Sequence, residues 1–162
     1  KPAEVTQVRA CIGVAQASML RNHAPRTGLE AKFSLEFAVA SALIARNVGL
    51  RELTDEFVMQ PQVQDLMKRV ATATADTQCP IEPVFALTDR VVLELNDGRH
   101  IDSGEIRFAR GNAKLPLDDA QLKAKFMDCA AGAGNLDASA LYERLNAIEQ
   151  LASVRDLVAR NR

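Results

Sequence analysis

The chain has 162 residues, 48% of them hydrophobic, and a formal net charge of −1. This length suits one domain with a sizeable core, and we expect a single domain over residues 1–162. The balanced charge excludes binding driven by a basic surface, so no nucleic acid is expected, and no apolar run is long enough to span a membrane. The chain begins at Lys1 rather than Met and shows no signal-peptide pattern, so we expect a piece of a longer protein.

The three cysteines, Cys11, Cys79 and Cys129, lie far apart in the sequence. An odd number at such spacing fits neither a disulfide framework nor a zinc site. They are interpreted as buried or free thiols in a reducing compartment, which predicts a cytoplasmic protein without a bound metal.

The N-terminal part of the chain predicts one strand and a connection. Val5–Val14 combines branched apolar residues with small ones and is interpreted as a strand, and residues 15–26 are interpreted as a connection. Thr27 and Glu30 have the spacing of a capping box and predict a short turn.

The most apolar stretch runs from Ser34 to Ala45 and is broken only by Glu36 and Ser41. Its length and its Ala, Leu and Phe content favour a helix over a strand. Ser34 is the expected N-cap, and Asn47 and Gly49 are expected to end the helix. Because the helix is apolar on almost all faces, we expect it to be buried at the centre of the fold.

Short elements follow this central helix. Leu50, Leu53 and Phe57 recur at helical spacing, and Pro61 suits the first position of another short helix. Val70–Asp76 alternates Val and Ala with Thr and is interpreted as a strand.

A hairpin is predicted over Phe85–Phe108. Phe85–Leu95 places its apolar residues on one face, and Asn96-Asp97-Gly98 supplies residues that tolerate the positive φ of a tight turn. Arg99–Phe108 returns as the partner strand, with Gly104 a candidate bulge.

The C-terminal third predicts helices that follow the loop Gly111–Pro116. Acidic or Ser caps are expected at Asp118 or Asp119, at Asp137 and at Ser153. The apolar residues assigned to these three helices are Leu122, Phe126 and Cys129, then Leu141, Leu145 and Ile148, then Leu157 and Val158. The chain as a whole predicts an α+β fold: a small antiparallel sheet of about four strands, packed against the buried central helix and the C-terminal helices.

The residues alone indicate no self-contained active site. His23 and His100 lack ligand spacing and are interpreted as structural or solvent-facing, and Asp118-Asp119 suits a helix start for dipole reasons. Lys32, just before the central helix, either extends along apolar surface with its charge in water or faces an anionic ligand at the helix N-terminus.

An ordered set of segments resembles the MmgE/PrpD family, and more specifically its C-terminal part. The segments cover the chain from about Pro25 onward; they are Glu30–Ala40, Ala42-Leu43, Val48–Leu50, Thr54–Glu56, Pro61–Val70, Val91–Gly98 and Gly111–Phe126. No single motif is diagnostic, but their order along the chain is specific.

The resemblance implies a metal-independent lyase or isomerase without a cofactor that acts on small polycarboxylates. Members include 2-methylcitrate dehydratases, cis-aconitate decarboxylases and iminodisuccinate epimerases, which move a proton next to a carboxylate. It also implies a homodimer in which an N-terminal helical domain carries most catalytic residues and this chain forms the lid, inactive alone. The alternative is a non-catalytic domain for self-association or interaction.

No residue of this chain is assigned as catalytic. The resemblance implies Lys32, Ser34 and Phe37 as substrate-facing lid candidates. A Tyr commonly stands in the family at the position of Phe37, and some members have His at the position of Phe33. Because Phe neither donates a hydrogen bond nor carries a proton, this departure leaves the exact reaction open and argues against assigning the parent as a 2-methylcitrate dehydratase itself.

Overall fold

The computed structural model of the chain describes residues 1–157, so Val158 lies outside the described residues. The chain divides into two units, Lys1–Ala109 and Arg110–Arg162, and each is described by itself. The expectation of one domain over 1–162, with the sheet packed on the C-terminal helices, therefore stays a prediction. Strands and helices mix without strict alternation, which confirms the α+β class.

The first unit contains one four-stranded sheet. Its strands are β1 (Val5–Gly13), β2 (Val70–Ala75), β3 (Arg90–Leu95) and β4 (His100–Asp102), in the order β2-β1-β3-β4. β1 pairs antiparallel with β3, and β3 with β4, but β1 and β2 run parallel. The prediction of a purely antiparallel sheet is therefore wrong for this pair. A long helical connection between β1 and β2 makes the parallel arrangement possible, where a hairpin turn would have forced the antiparallel one.

The predicted hairpin is present but shorter than Phe85–Phe108. Its turn is confirmed: Gly98 has φ 80°, and the Leu95 N–H donates to the Arg99 carbonyl over 2.9 Å. β3 begins only at Arg90, and β4 ends at Asp102. The Asp102 carboxylate accepts the Gly104 N–H at 2.9 Å and Gly104 has φ 67°, so the regular ladder is interrupted there. Pairing resumes with a one-residue shift at Asp89 and Ile106, which exchange two backbone hydrogen bonds of 2.8 Å, as expected of the predicted bulge.

Five short helices connect β1 to β2. They are α1 (Val14–Met19), α2 (Gly28–Ala31), α3 (Leu35–Ala45), α4 (Asp55–Val58) and α5 (Pro61–Met67). α1 occupies part of the stretch interpreted as a connection, so that interpretation is wrong there. Val14 and Met19 are both exposed, and α1 therefore has no apolar stripe that a sequence pattern could reveal.

α3 supplies the centre of the core, as predicted. The Ser34 hydroxyl accepts the Phe37 N–H at 3.1 Å, which confirms the N-cap. The helix ends on Arg46 in the left-handed conformation, φ 59°, rather than at Asn47 or Gly49. Ala42 is exposed, so the helix is buried on one side rather than nearly all round. The buried apolar cluster consists of Val5, Val8, Ala31, Phe37, Ala40, Val58, Val63, Leu66, Met67 and Leu95.

The second unit, described to residue 157, contains α6 (Asp119–Ala130) and α7 (Ala138–Asn146). Asp118 caps α6 in a reciprocal capping box with Gln121, and Asp137 caps α7. The buried residue of α7 is Tyr142, whose ring centre lies 5.3 Å from that of Phe126. The predicted stripe missed it: Leu145 and Ile148 are exposed instead.

Candidate functional site

The three predicted lid residues occupy different environments. Lys32 is exposed at the end of α2, and Ser34 is 1% exposed at the start of α3. Phe37 is completely buried and meets Phe57 edge-on, with ring centres 6.2 Å apart. In this conformation Phe37 has no surface with which to contact a ligand, whereas Lys32 does.

The chain leading into α3, residues 21–34, is named here the pre-α3 segment. Its two ends run side by side: Arg21 pairs with Ser34 in an antiparallel bridge, and the Asn22 N–H donates to the Phe33 carbonyl over 2.9 Å. The Asn22 side chain closes the loop by donating to the Glu30 carbonyl over 2.9 Å. This pairing places His23 beside the first turn of α3.

A carboxylate links an imidazole and a hydroxyl at this point. Glu36 Oε1 lies 2.7 Å from His23 Nδ1, and Glu36 Oε2 accepts a hydrogen bond from Ser34 Oγ at 3.2 Å. Glu36 is only 5% exposed, whereas the His23 side chain is 67% exposed. The buried end of the network is therefore the carboxylate, and the exposed end is the imidazole.

Burial makes this arrangement costly unless the carboxylate is hydrogen-bonded on both oxygens. Ser34 and His23 meet that need, since each contacts a different oxygen of Glu36. The contact at Nδ1 fixes the orientation of the His23 ring and leaves Nε2 on an exposed ring. An imidazole held in this way can bind a carboxylate or transfer a proton at Nε2.

Basic residues flank His23 along the chain. Arg21, Arg26 and Lys32 are all exposed on the pre-α3 segment. The Glu30 carboxylate of the same segment accepts a hydrogen bond from the backbone N–H of Arg26 at 2.8 Å. Phe33, 49% exposed, adds apolar surface. The segment thus combines several positive groups with an apolar side chain, which suits a small anionic ligand.

The sequence alone did not single out His23 as part of a site. Its partner Glu36 was the available signal, because it is one of two polar residues in an otherwise apolar helix. A first-turn acid is also favoured by the helix dipole, so the pattern did not distinguish the two explanations. The contact between His23 and Glu36 joins residues 13 positions apart, so it depends on how the chain between them folds.

Neither a metal-ligand cluster nor a membrane-spanning helix is present in residues 1–157. These residues contain no group of three or more His, Cys, Asp or Glu side chains placed to hold a metal ion. Within the same range, every helix is too short or too polar to cross a bilayer.

The α+β fold and the pre-α3 segment together define the class of domain to which this chain belongs. Residues 1–148 match the family model of the MmgE/PrpD C-terminal domain. Because this match covers most of the chain, the chain belongs to the MmgE/PrpD family. A search among curated proteins found no match.

Proposed function

We propose that this chain is the lid of an MmgE/PrpD-type, metal-independent lyase or isomerase that acts on small polycarboxylates and is inactive without an N-terminal helical domain. The observation that supports it best is the His23 imidazole, oriented by the buried Glu36 on a segment with three exposed cations. Such a surface complements a substrate with more than one carboxylate. A cytoplasmic homodimer of the 2-methylcitrate dehydratase type is part of the same proposal.

In this division of labour the lid binds and the helical domain carries the base. Proton abstraction beside a carboxylate creates negative charge, which nearby cations and N–H donors stabilise. Closure of the lid would bring His23 and Lys32 onto the substrate carboxylates and exclude water, which strengthens both interactions. Ser34 acts indirectly by holding Glu36, and Phe37 acts by packing beneath the segment.

The test is turnover of the full-length protein on a panel of small di- and tricarboxylates. We expect activity on at least one of them, and no turnover by residues 1–162 alone. His23→Gln and Lys32→Ala should each lower kcat/KM by about 10- to 100-fold, the effect of losing one charge-assisted hydrogen bond. His100→Gln and Lys125→Ala are matched controls, since both residues are exposed and lie outside the pre-α3 segment.

Turnover by the isolated chain would contradict the proposed division of labour. Full activity in both His23→Gln and Lys32→Ala would remove the substrate-binding role of the segment. In that case the alternative function, a non-catalytic domain for self-association, would be favoured.

A further inference from the structure

The outer edge of β2 is a second surface with specific chemistry. β2 is the first strand in the sheet order β2-β1-β3-β4, so its other side pairs with no described strand of the sheet. Its sequence is Val-Ala-Thr-Ala-Thr-Ala, and four of these six residues are exposed. Natural edge strands are commonly protected by Lys, Pro, bulges or inward-pointing charges, and Val70–Ala75 contains none of the residues that would serve.

The hydrogen-bonding groups of this edge follow from its pairing with β1. The Val8 N–H donates to the Arg69 carbonyl over 2.9 Å, and Val8 is the register partner of Val70. Because Val8 bonds to Arg69 rather than to Val70, the odd-numbered residues of β2 direct their backbone N–H and C=O groups to β1 in this parallel ladder. The N–H and C=O groups of Val70, Thr72 and Thr74 therefore point outward.

We propose that this edge pairs antiparallel with the β2 edge of a second copy of the chain, about a two-fold axis at Thr72. A two-fold axis that joins two copies into one continuous sheet must be perpendicular to that sheet. Each even-numbered residue of β2 then lies opposite an even-numbered residue of the copy's β2. Centring on Thr72 sets it opposite the partner copy's own Thr72, and Val70 opposite the copy's Thr74. Three such pairs form about six hydrogen bonds between the chains, two per pair.

Charge favours this antiparallel arrangement over a parallel one. The basic residues Lys68 and Arg69 precede β2, and the acidic Asp76 follows it. In the proposed register the basic start of one strand lies beside the acidic end of the other, with position 68 opposite position 76. Arg69 donates to the Val5 carbonyl over 2.7 Å in a partly buried hydrogen bond within its own chain. Lys68 pairs with Asp65 over 3.1 Å, but these two side chains are 73% and 61% exposed, so Lys68 can exchange that weak surface contact for the copy's Asp76.

Cysteine cross-linking of the full-length protein tests the register directly. With the exposed Cys129 replaced by Ser, Thr72→Cys should form a disulfide-linked dimer under mild oxidation, because paired Cα atoms lie about 5.5 Å apart, within disulfide range. Thr74→Cys is the matched control: its two copies would be about 13 Å apart along the strands. We expect Thr72→Cys to cross-link faster by on the order of tenfold or more, because pairing raises the effective thiol concentration.

Charge reversal provides an independent test in the Thr72→Cys protein. Lys68→Glu and Asp76→Lys should each slow cross-linking, and the double variant should restore it, because the attraction is then reversed but retained. Absence of cross-linking at position 72, or equal rates at positions 72 and 74, would overturn the proposal. Failure of the double variant to recover would refute the antiparallel charge pairing. This inference rests on the homodimer of the proposed function and names its interface. Neither result depends on turnover, so failure of the interface leaves the proposed lid role and substrate class to be tested by activity.

Discussion

Glu36 combines a position at the start of a helix with a contact to an exposed imidazole. Its position in the first turn of α3 suits the helix dipole, and that was the explanation available from sequence. In the fold it is nearly buried, and it connects the N-cap hydroxyl of Ser34 to the exposed His23 ring. The charge that helps to start the helix is also the charge that orients the imidazole.

Phe37 and Phe33 provide a matched pair for testing the core at the residue scale. Phe37 is completely buried, whereas Phe33 is 49% exposed four positions earlier. We expect Phe37→Ala to lower the free energy of unfolding by about 3–5 kcal/mol, because it leaves a cavity under α3. Phe33→Ala should cost about 1 kcal/mol or less, in line with its partial burial.

Urea denaturation followed by circular dichroism would measure both variants. Equal losses would mean that Phe33 contributes as much buried surface as Phe37, contrary to the structure. A loss below 1 kcal/mol for Phe37→Ala would contradict its central place in the core.

At the scale of elements, helix caps and turns were predictable from the sequence, whereas which strands pair, and in which direction, was not. The Ser34, Asp118 and Asp137 caps depend on residues within one helical turn. The sequence predicted Ser34 and Asp137, and it narrowed the third cap to Asp118 or Asp119. The turn at Gly98 is equally local. The parallel pairing of β1 with β2 is different, because it depends on how 56 residues between them pack.

Element boundaries failed for a related reason. Phe85 and Leu87 continue the apolar alternation of β3, yet they lie outside it and are exposed. β-propensity describes residues that suit a half-buried surface, and it cannot tell whether a partner strand is present. The candidate site shows the same limit: the substrate-facing role of Lys32 and Ser34 stays a prediction from sequence, and the contact of His23 with Glu36 was not predicted.

The hairpin allows a prediction about pH. The Arg90 side chain hydrogen-bonds the Asp102 carboxylate, with Nε to Oδ1 at 2.9 Å, and this, with the Gly104 N–H, lowers the Asp102 pKa to about 2. A carboxyl whose pKa is lowered on folding stabilises the fold above its unfolded value of 3.8. That stabilisation is lost as the pH falls from about 4 through 2.

Titration of the Asp102 carboxyl by NMR would test this. Arg90→Gln should raise its pKa towards 3.8, with the Gly104 contact retaining part of the shift. Arg99→Gln is the control, because Arg99 pairs with Asp97 instead. A titration near 3.8 in the unsubstituted protein would show that the ion pair does not persist in solution.

At the scale of the whole molecule, the two units differ in how much core each contains. All ten residues of the buried apolar cluster belong to Lys1–Ala109. Within residues 110–157, Tyr142 is the one buried residue. A small unit with so little buried surface is marginal by itself, whereas the first unit has its own sheet and central helix.

We therefore expect residues 1–109, produced alone, to unfold cooperatively on heating, and residues 110–162 to show no cooperative transition. Differential scanning calorimetry of both fragments and of the 162-residue chain would test this. Phe37→Ala in the first fragment should lower its Tm, which ties the transition to this core. A fragment 1–109 that fails to fold would favour the single domain expected from the length of the chain.

The order of the strands in the sheet has a consequence for the time course of synthesis. β1 is the first strand of this sheet to be made, yet both of its neighbours follow much later, since Val8 pairs with Val70 on one side and with Leu93 on the other. At about 5–20 residues per second, β1 waits about 3–12 s for β2. During that interval a strand with one apolar face is present with two open edges. Exposed apolar surface and unpaired strand edges make nascent chains prone to aggregation, which chaperones prevent.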